Sequence, residues 1–168
     1  MGKQIIAQKR GKGSPTYRAH SHRFHAEIKY HPLSNTEVLK GEVLDLINCP
    51  GHSAPIAIIK FEDQFVQQIA APLHIKVGSP IELGSKASLS PGNTLPLSSI
   101  PEGTEVFNLE CRPGDGGKLC RSSGTSAKIL KQLIDHVVVQ LPSRKERSFH
   151  PSCRATIGLV AGGGRTEK

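Results

Sequence analysis

A mainly β chain, built as two small barrels in series between basic extensions, is what this sequence predicts, and three observations carry the prediction. Apolar residues fall in short β-prone runs, and no run holds a helical period for long. Turn clusters and one long Ser/Gly/Pro-rich stretch divide these runs into two sets. Tryptophan is absent and aromatics are 4% of the 168 residues, so any core must be built from Ile, Val, Leu and Ala. Two barrels of roughly 50–75 residues would each bury only about 60% of their unfolded surface. A large partner would add to the stability of both.

Residues 1–25 have no hydrophobic period, and Gly11, Gly13 and Pro15 are expected to break any helix. The stretch cannot bury enough apolar surface to offset its ordering entropy. It reads as a basic arm, disordered alone, that orders on a polyanion through Lys9, Arg10, Lys12, Arg18 and Arg23. A solubilising tail is the alternative. His20, His22 and His25 have no cysteine at ligand spacing, so no metal is assigned to them.

From Ala26 the pattern changes. Ala26–Tyr30, Val38–Ile47, Pro55–Phe61, Phe65–Ala71, His74–Val77 and Ile81–Leu83 read as strands, separated by turns such as Asn48–His52 and Glu62–Gln64. Five or so short strands across 26–83 suit a barrel of the OB type, which hides its edges by closure. Residues 84–104 read as a linker that packs through Leu95, Leu97 and Ile100. Strand-like runs return at Glu105–Glu110, Ala127–Leu133, His136–Leu141 and Ala155–Val160, which predicts an SH3-like barrel over 105–160. Residues 161–168 read as a flexible Gly-rich tail.

Net charge is +8, and it is segregated: +6 over residues 1–40, −5 over 41–110 and +7 over 111–168. Basic flanks around an acidic middle point to a polyanionic partner. The run from Arg112 to Lys128 holds four glycines, a proline and four basic residues. Gly114, Gly116 and Gly117 let backbone N–H groups approach anionic oxygens, while Arg112, Lys118 and Arg121 supply charge. An ordinary basic hairpin turn is the alternative. The Gly-Gly-Lys sequence is no P-loop, since Arg112 stands where that motif needs glycine and Leu119 where it needs a hydroxyl. Phosphate contact without nucleotide hydrolysis is the expectation.

No nucleophile elbow, zinc-protease helix or dinucleotide fingerprint is present, so no enzyme and no cofactor are expected. Cys111, Cys120, His150 and Cys153 lack the paired spacing of structural zinc and read as buried thiols. Unpaired cysteines and the lack of a secretory or membrane-spanning run point to a reduced, cytoplasmic setting.

Several linked segments then carry a resemblance: Pro91-Gly-Asn-Thr-Leu-Pro-Leu97, Ile100-Pro-Glu-Gly-Thr104, Arg112-Pro-Gly-Asp-Gly-Gly-Lys-Leu119, Arg121-Ser-Ser-Gly-Thr125, Cys153-Arg-Ala-Thr-Ile-Gly158 and Gly162-Gly-Gly-Arg-Thr-Glu-Lys168. With Gly11-Lys-Gly-Ser-Pro-Thr-Tyr-Arg18, the chain resembles universal ribosomal protein two of the large subunit in its archaeal and eukaryotic cytosolic form. The resemblance implies an OB-type and an SH3-like barrel docked on large-subunit rRNA beside neighbouring ribosomal proteins. It implies a structural role that supports the peptidyl transferase region and subunit association, with no membrane and no small-molecule substrate. Arg121 and Arg154 fall in matched motifs and are the first RNA contacts it suggests, followed by Lys118 and Arg112. Arg165 and the turn residues His52 and Ser53 complete the set.

Two departures stand out. The family commonly has arginine where this chain has His52, in Gly51-His-Ser-Ala-Pro55, so a weaker contact is expected there. The family also usually continues past Lys168 into a basic, histidine- and glycine-rich tail that this sequence does not include, and no role of that tail is carried over. A free OB/SH3-type RNA-binding or translation-factor module is the second reading. Such modules grip single strands on aromatic platforms, which this chain is poorly equipped to build.

Overall fold

The computed structural model describes residues 2–3, 5–13, 15–31 and 38–164. Arg165 and the rest of the tail beyond Gly164 lie outside the described residues. The architecture is mainly β. Ten strands run as β1 (Leu39–Ile47), β2 (Ile56–Phe61), β3 (Val66–Ala70), β4 (Pro80–Leu83), β5 (Thr94–Pro96), β6 (Glu105–Phe107), β7 (Ala127–Gln132), β8 (Val137–Gln140), β9 (Glu146–Phe149) and β10 (Arg154–Ile157). They join in one sheet of order β3-β2-β1-β4-β5-β10-β6-β7-β8-β9. All pairings are antiparallel except the β4–β5 bridge, Leu83 with Thr94.

The sheet curls around two cores. Alternation along β1 turns Leu39, Gly41 and Val43 inward and Lys40 and Glu42 outward, until a bulge between Val43 and Asp45 shifts the register. These inward residues meet Ala57, Ile59, Phe61, Ile69, Ile81 and Leu83 of β2 to β4. The second core gathers Leu95, Val106, Ile129, Val137, Val139, Phe149 and Ala155, one or two from each of β5 to β10. A third cluster of Ile28, Ala54, Ala70, Phe107 and Val160 lies between them and ties the two halves together.

Several elements differ from the sequence reading. Ala26–Tyr30 and His74–Val77 are not strands. Ile28 and Tyr30 are buried, so the alternation there reports burial of a segment that is paired in no sheet among the described residues. His74 has a φ of 65°, which suits a turn. Two strands were not anticipated. β5 lies within the stretch read as a linker, and Leu95, Leu97 and Ile100 are built into the second core. β9 is an edge strand whose first three residues are exposed and include Glu146 and Arg147, charges of the kind that guard a sheet edge and mask its pattern. In the arm, a short helix α1 (Ile6–Gly11) forms despite the glycines, with no buried residue.

Candidate nucleic-acid interface

The glycine loop is wrapped around an anion, and the anion is internal. Glu110 follows β6, and its carboxylate is fully buried. Its Oε2 accepts the N–H groups of Gly114 at 3.3 Å and Arg154 at 2.8 Å. Its Oε1 accepts Gly116 N–H at 3.1 Å and two guanidinium N–H groups of Arg154, from Nε at 3.1 Å and from the terminal NH2 at 2.8 Å. Two of the backbone donors expected to meet a phosphate, those of Gly114 and Gly116, are therefore occupied by a side chain six residues or fewer away in sequence. Asp115 closes the loop by accepting the N–H groups of Cys111 and Arg112. Gly117 is required on two grounds: its φ is +82°, and a Cβ there would stand 2.7 Å from the Asn108 carbonyl oxygen.

Arg154, which the resemblance suggested as an RNA contact, turns its guanidinium into the molecule. Besides the bonds to Glu110, its other terminal nitrogen donates to the His31 carbonyl at 2.7 Å, and its central carbon lies 5.1 Å from the Tyr30 ring centre. A guanidinium so engaged holds the molecule together. His31 extends the chain of contacts, its Nε2 lying 2.7 Å from Asp63 Oδ2 in the β2–β3 turn. Tyr30 donates through its hydroxyl to the Asn108 carbonyl at 2.6 Å and lies 2.7 Å from Thr156 Oγ1. Burial pushes the Tyr30 hydroxyl well above its ordinary titration range, so it remains a donor.

The other cations of the loop remain available. Arg112 and Lys118 are exposed. Arg121 is half-buried, and the bond found for it is from one terminal nitrogen to the Gly117 carbonyl at 3.2 Å. The sign of the field here is legible in Glu27, whose carboxyl is held below its usual range first by the hydrogen bond from Lys29, then by Lys118 and Arg121, against some desolvation. Several cations thus surround one exposed carboxylate.

Arg121 also meets the first half of the molecule. The His52 imidazole is lowered below its usual range by burial and next by the Arg121 charge. Ser53 Oγ accepts the Ser123 N–H at 3.1 Å. Beside them the chain passes again: Gly124 and Gly163 touch so closely that a Cβ on Gly124 would lie 2.8 Å from the Gly163 Cα. The turn at 51–55, the loop at 121–125 and the segment at 162–163 form one patch.

The arm is rooted beside it. Phe24 covers Gly51, where a Cβ would fall 2.6 Å from the ring. The His25 N–H donates to Cys49 Sγ at 3.4 Å. Lys9, Arg10, Lys12, Arg18 and Arg23 are all exposed, with Arg10 stacked 5.5 Å from the Tyr17 ring centre. Among the described residues no three His, Cys, Asp or Glu side chains come together as metal ligands. Burial pushes the Cys120 and Cys153 thiols up to about 11, which suits inert core thiols. Glu110 and Cys49 were missed by sequence reasoning. The available signal was a carboxylate directly preceding a glycine-rich basic run.

Comparison with known proteins gives a consistent picture. The family described as Ribosomal Proteins L2, C-terminal domain, matches residues 90–168. The large ribosomal subunit protein uL2 of Methanothermobacter thermautotrophicus is 51% identical over 100% of this chain and 71% of its own length. Its counterparts in Methanosphaera stadtmanae and Halorubrum lacusprofundi are 50% and 49% identical, again over 100% of this chain and over 71% and 70% of theirs.

Proposed function

The chain belongs to the uL2 family of structural constituents of the large ribosomal subunit, and on that premise we propose that it binds large-subunit rRNA through the patch around Arg121. One observation carries the reading: the glycine loop is pinned from inside by Glu110 and Arg154, which leaves Arg112, Lys118 and Arg121 on its outer side. Cations displayed on a fixed loop lose less entropy on meeting phosphates than cations on free chain. His52 and Ser53 extend the patch into the first half, and the exposed arm adds Lys9, Arg10, Lys12, Arg18 and Arg23 at its margin. Support of the peptidyl transferase region, subunit association and contact with neighbouring ribosomal proteins follow from the same docking and belong to the proposal.

A free single-strand-binding module is less well supported. Of the aromatic side chains, Tyr30, Phe61, Phe107 and Phe149 are buried in the cores, and Phe24 is committed to Gly51. Stacking platforms are what such modules need. The test is titration of the intact chain with a labelled large-subunit rRNA fragment. If about six to ten phosphates are neutralised, affinity should fall by about 10³–10⁵ between roughly 50 and 200 mM salt, borrowing the relation for duplex DNA. A flat salt dependence would overturn the proposal.

A further inference from the structure

His52 is held from one side of its ring. Its Nδ1 lies 3.2 Å from Cys49 Sγ. That sulfur is buried and already accepts the His25 N–H. Desolvation raises the Cys49 titration, but the backbone N–H groups of His25, Gly51, Ala26 and His52 outweigh it and hold the thiol below its ordinary value. The sulfur lone pairs thus face donors, and the acceptor that faces the thiol proton is His52 Nδ1. The imidazole, half-buried beside Arg121, is held below its usual range and is neutral near pH 7. A neutral ring that accepts at Nδ1 carries its proton on Nε2. Nε2 has no hydrogen-bond partner among the described residues.

We propose that Cys49 sets the tautomer and orientation of His52, so that its Nε2–H stands beside Arg121 as an uncharged hydrogen-bond donor to an acceptor oxygen of the bound RNA. The inference rests on the RNA-binding reading above. It changes the expected nature of the His52 contact. The residue is not a weakened cation that works only when protonated; it is a neutral donor that adds geometry while Arg121 adds charge. Cys49 touches no ligand and is a positioning residue. A serine at its place keeps a donor toward Nδ1, whereas alanine removes it.

Two measurements on the intact chain test this. The first is imidazole nitrogen NMR without RNA. Wild type and Cys49→Ser should show the proton on Nε2 and an accepting Nδ1, and Cys49→Ala should lose the fixed tautomer. A proton on Nδ1 in the wild type would overturn the assignment whether or not RNA binds. The second is titration of the labelled rRNA fragment across a salt series, with circular dichroism to verify folding. His52→Ala should weaken binding by about two- to tenfold, the worth of a neutral hydrogen bond, with the salt slope unchanged. His52→Gln, which keeps an N–H donor, should recover part of the loss. A slope reduced by about one unit in His52→Ala would mean that His52 binds as a cation, and unchanged affinity would mean that it makes no contact; either result overturns the proposal. Failure of the wild type itself to bind in a salt-dependent way would sink the RNA-binding reading, while the NMR result would still decide the tautomer.

Discussion

Arg154 and Arg121 stand in neighbouring parts of the second half of the molecule and put the same guanidinium group to opposite use. Arg154 spends its fork on Glu110 and on the His31 carbonyl and rests against Tyr30. Arg121 donates to a single backbone carbonyl and otherwise faces the patch with His52. Both residues sit in motifs that look alike in their glycine and arginine content. The difference between them is made by one carboxylate. Glu110 is buried, and a buried charge must be paired and hydrogen-bonded. It therefore recruits the nearest fork and the nearest free N–H groups, and these belong to Arg154 and the glycine loop. What remains outside is the set of cations that Glu110 did not take.

If that division is right, the largest effect should come from removing the internal anion. Glu110→Ala leaves the Arg154 charge and the Gly114 and Gly116 N–H groups without their acceptor, and should cost about 3–5 kcal/mol of stability. Denaturant unfolding measures this directly. A variant as stable as the wild type would break the inward half of the comparison.

Next in size is Arg154→Lys. An ammonium cannot reproduce donation from Nε and both terminal nitrogens. A loss of about 2 kcal/mol is expected, on the scale of hydrogen bonds to charged groups. RNA affinity, compared at a temperature where both proteins are folded, should stay close to wild type.

Gly124→Ala probes how tightly the patch is assembled. The position has a φ of +67°, and a Cβ would approach the Gly163 Cα to 2.8 Å, so backbone must move. A cost of roughly 1–2 kcal/mol follows from the left-handed conformation alone. The measurement that sharpens the comparison is whether rRNA affinity falls as well, as it should if segment 162–163 lines the same surface as Arg121.

The smallest effect concerns pH. His52 titrates below its ordinary value in the folded chain because of burial first and Arg121 second. A lowered folded-state value means that this contribution to stability is present above the ordinary histidine value of 6.5 and is lost as pH falls through the lower folded one. Urea unfolding at pH values on either side of that window should show slightly lower stability on the acid side, and His52→Gln should abolish the share due to this residue.

The fold was largely legible because strands announce themselves through period two. Eight of the expected runs contain or overlap strands here, from β1 through β10, with alternation that the burial of Val43, Ile59, Val137 and Val139 bears out. The signal fails where a strand carries charge on exposed positions, as in Glu146–Phe149, or hides among prolines and glycines, as in Thr94–Pro96. It misleads at Ile28 and Tyr30, where burial without a ladder produces the same alternation. The site was legible only as a composition. Gly114 and Gly116 did signal an anion-binding loop, but composition cannot say that the anion is Glu110, because that depends on Arg154 arriving across the sheet from β10. The Cys49–His52 contact and the meeting of Gly124 with Gly163 depend likewise on packing between distant segments.

The central claim is that the outward arginine binds RNA and the inward one does not. The most direct measurement is the slope of log affinity against log salt for the intact chain on a labelled rRNA fragment, with thermal melting of each protein alongside. Arg121→Ala should weaken binding by roughly 1–3 kcal/mol, the scale of a good bidentate contact, lower the slope by about one unit and leave the melting temperature near wild type. Arg154→Lys should do the reverse, lowering the melting temperature while keeping affinity and slope. The account is contradicted if Arg121→Ala binds with the wild-type slope, or if Arg154→Lys keeps its stability and loses affinity for RNA.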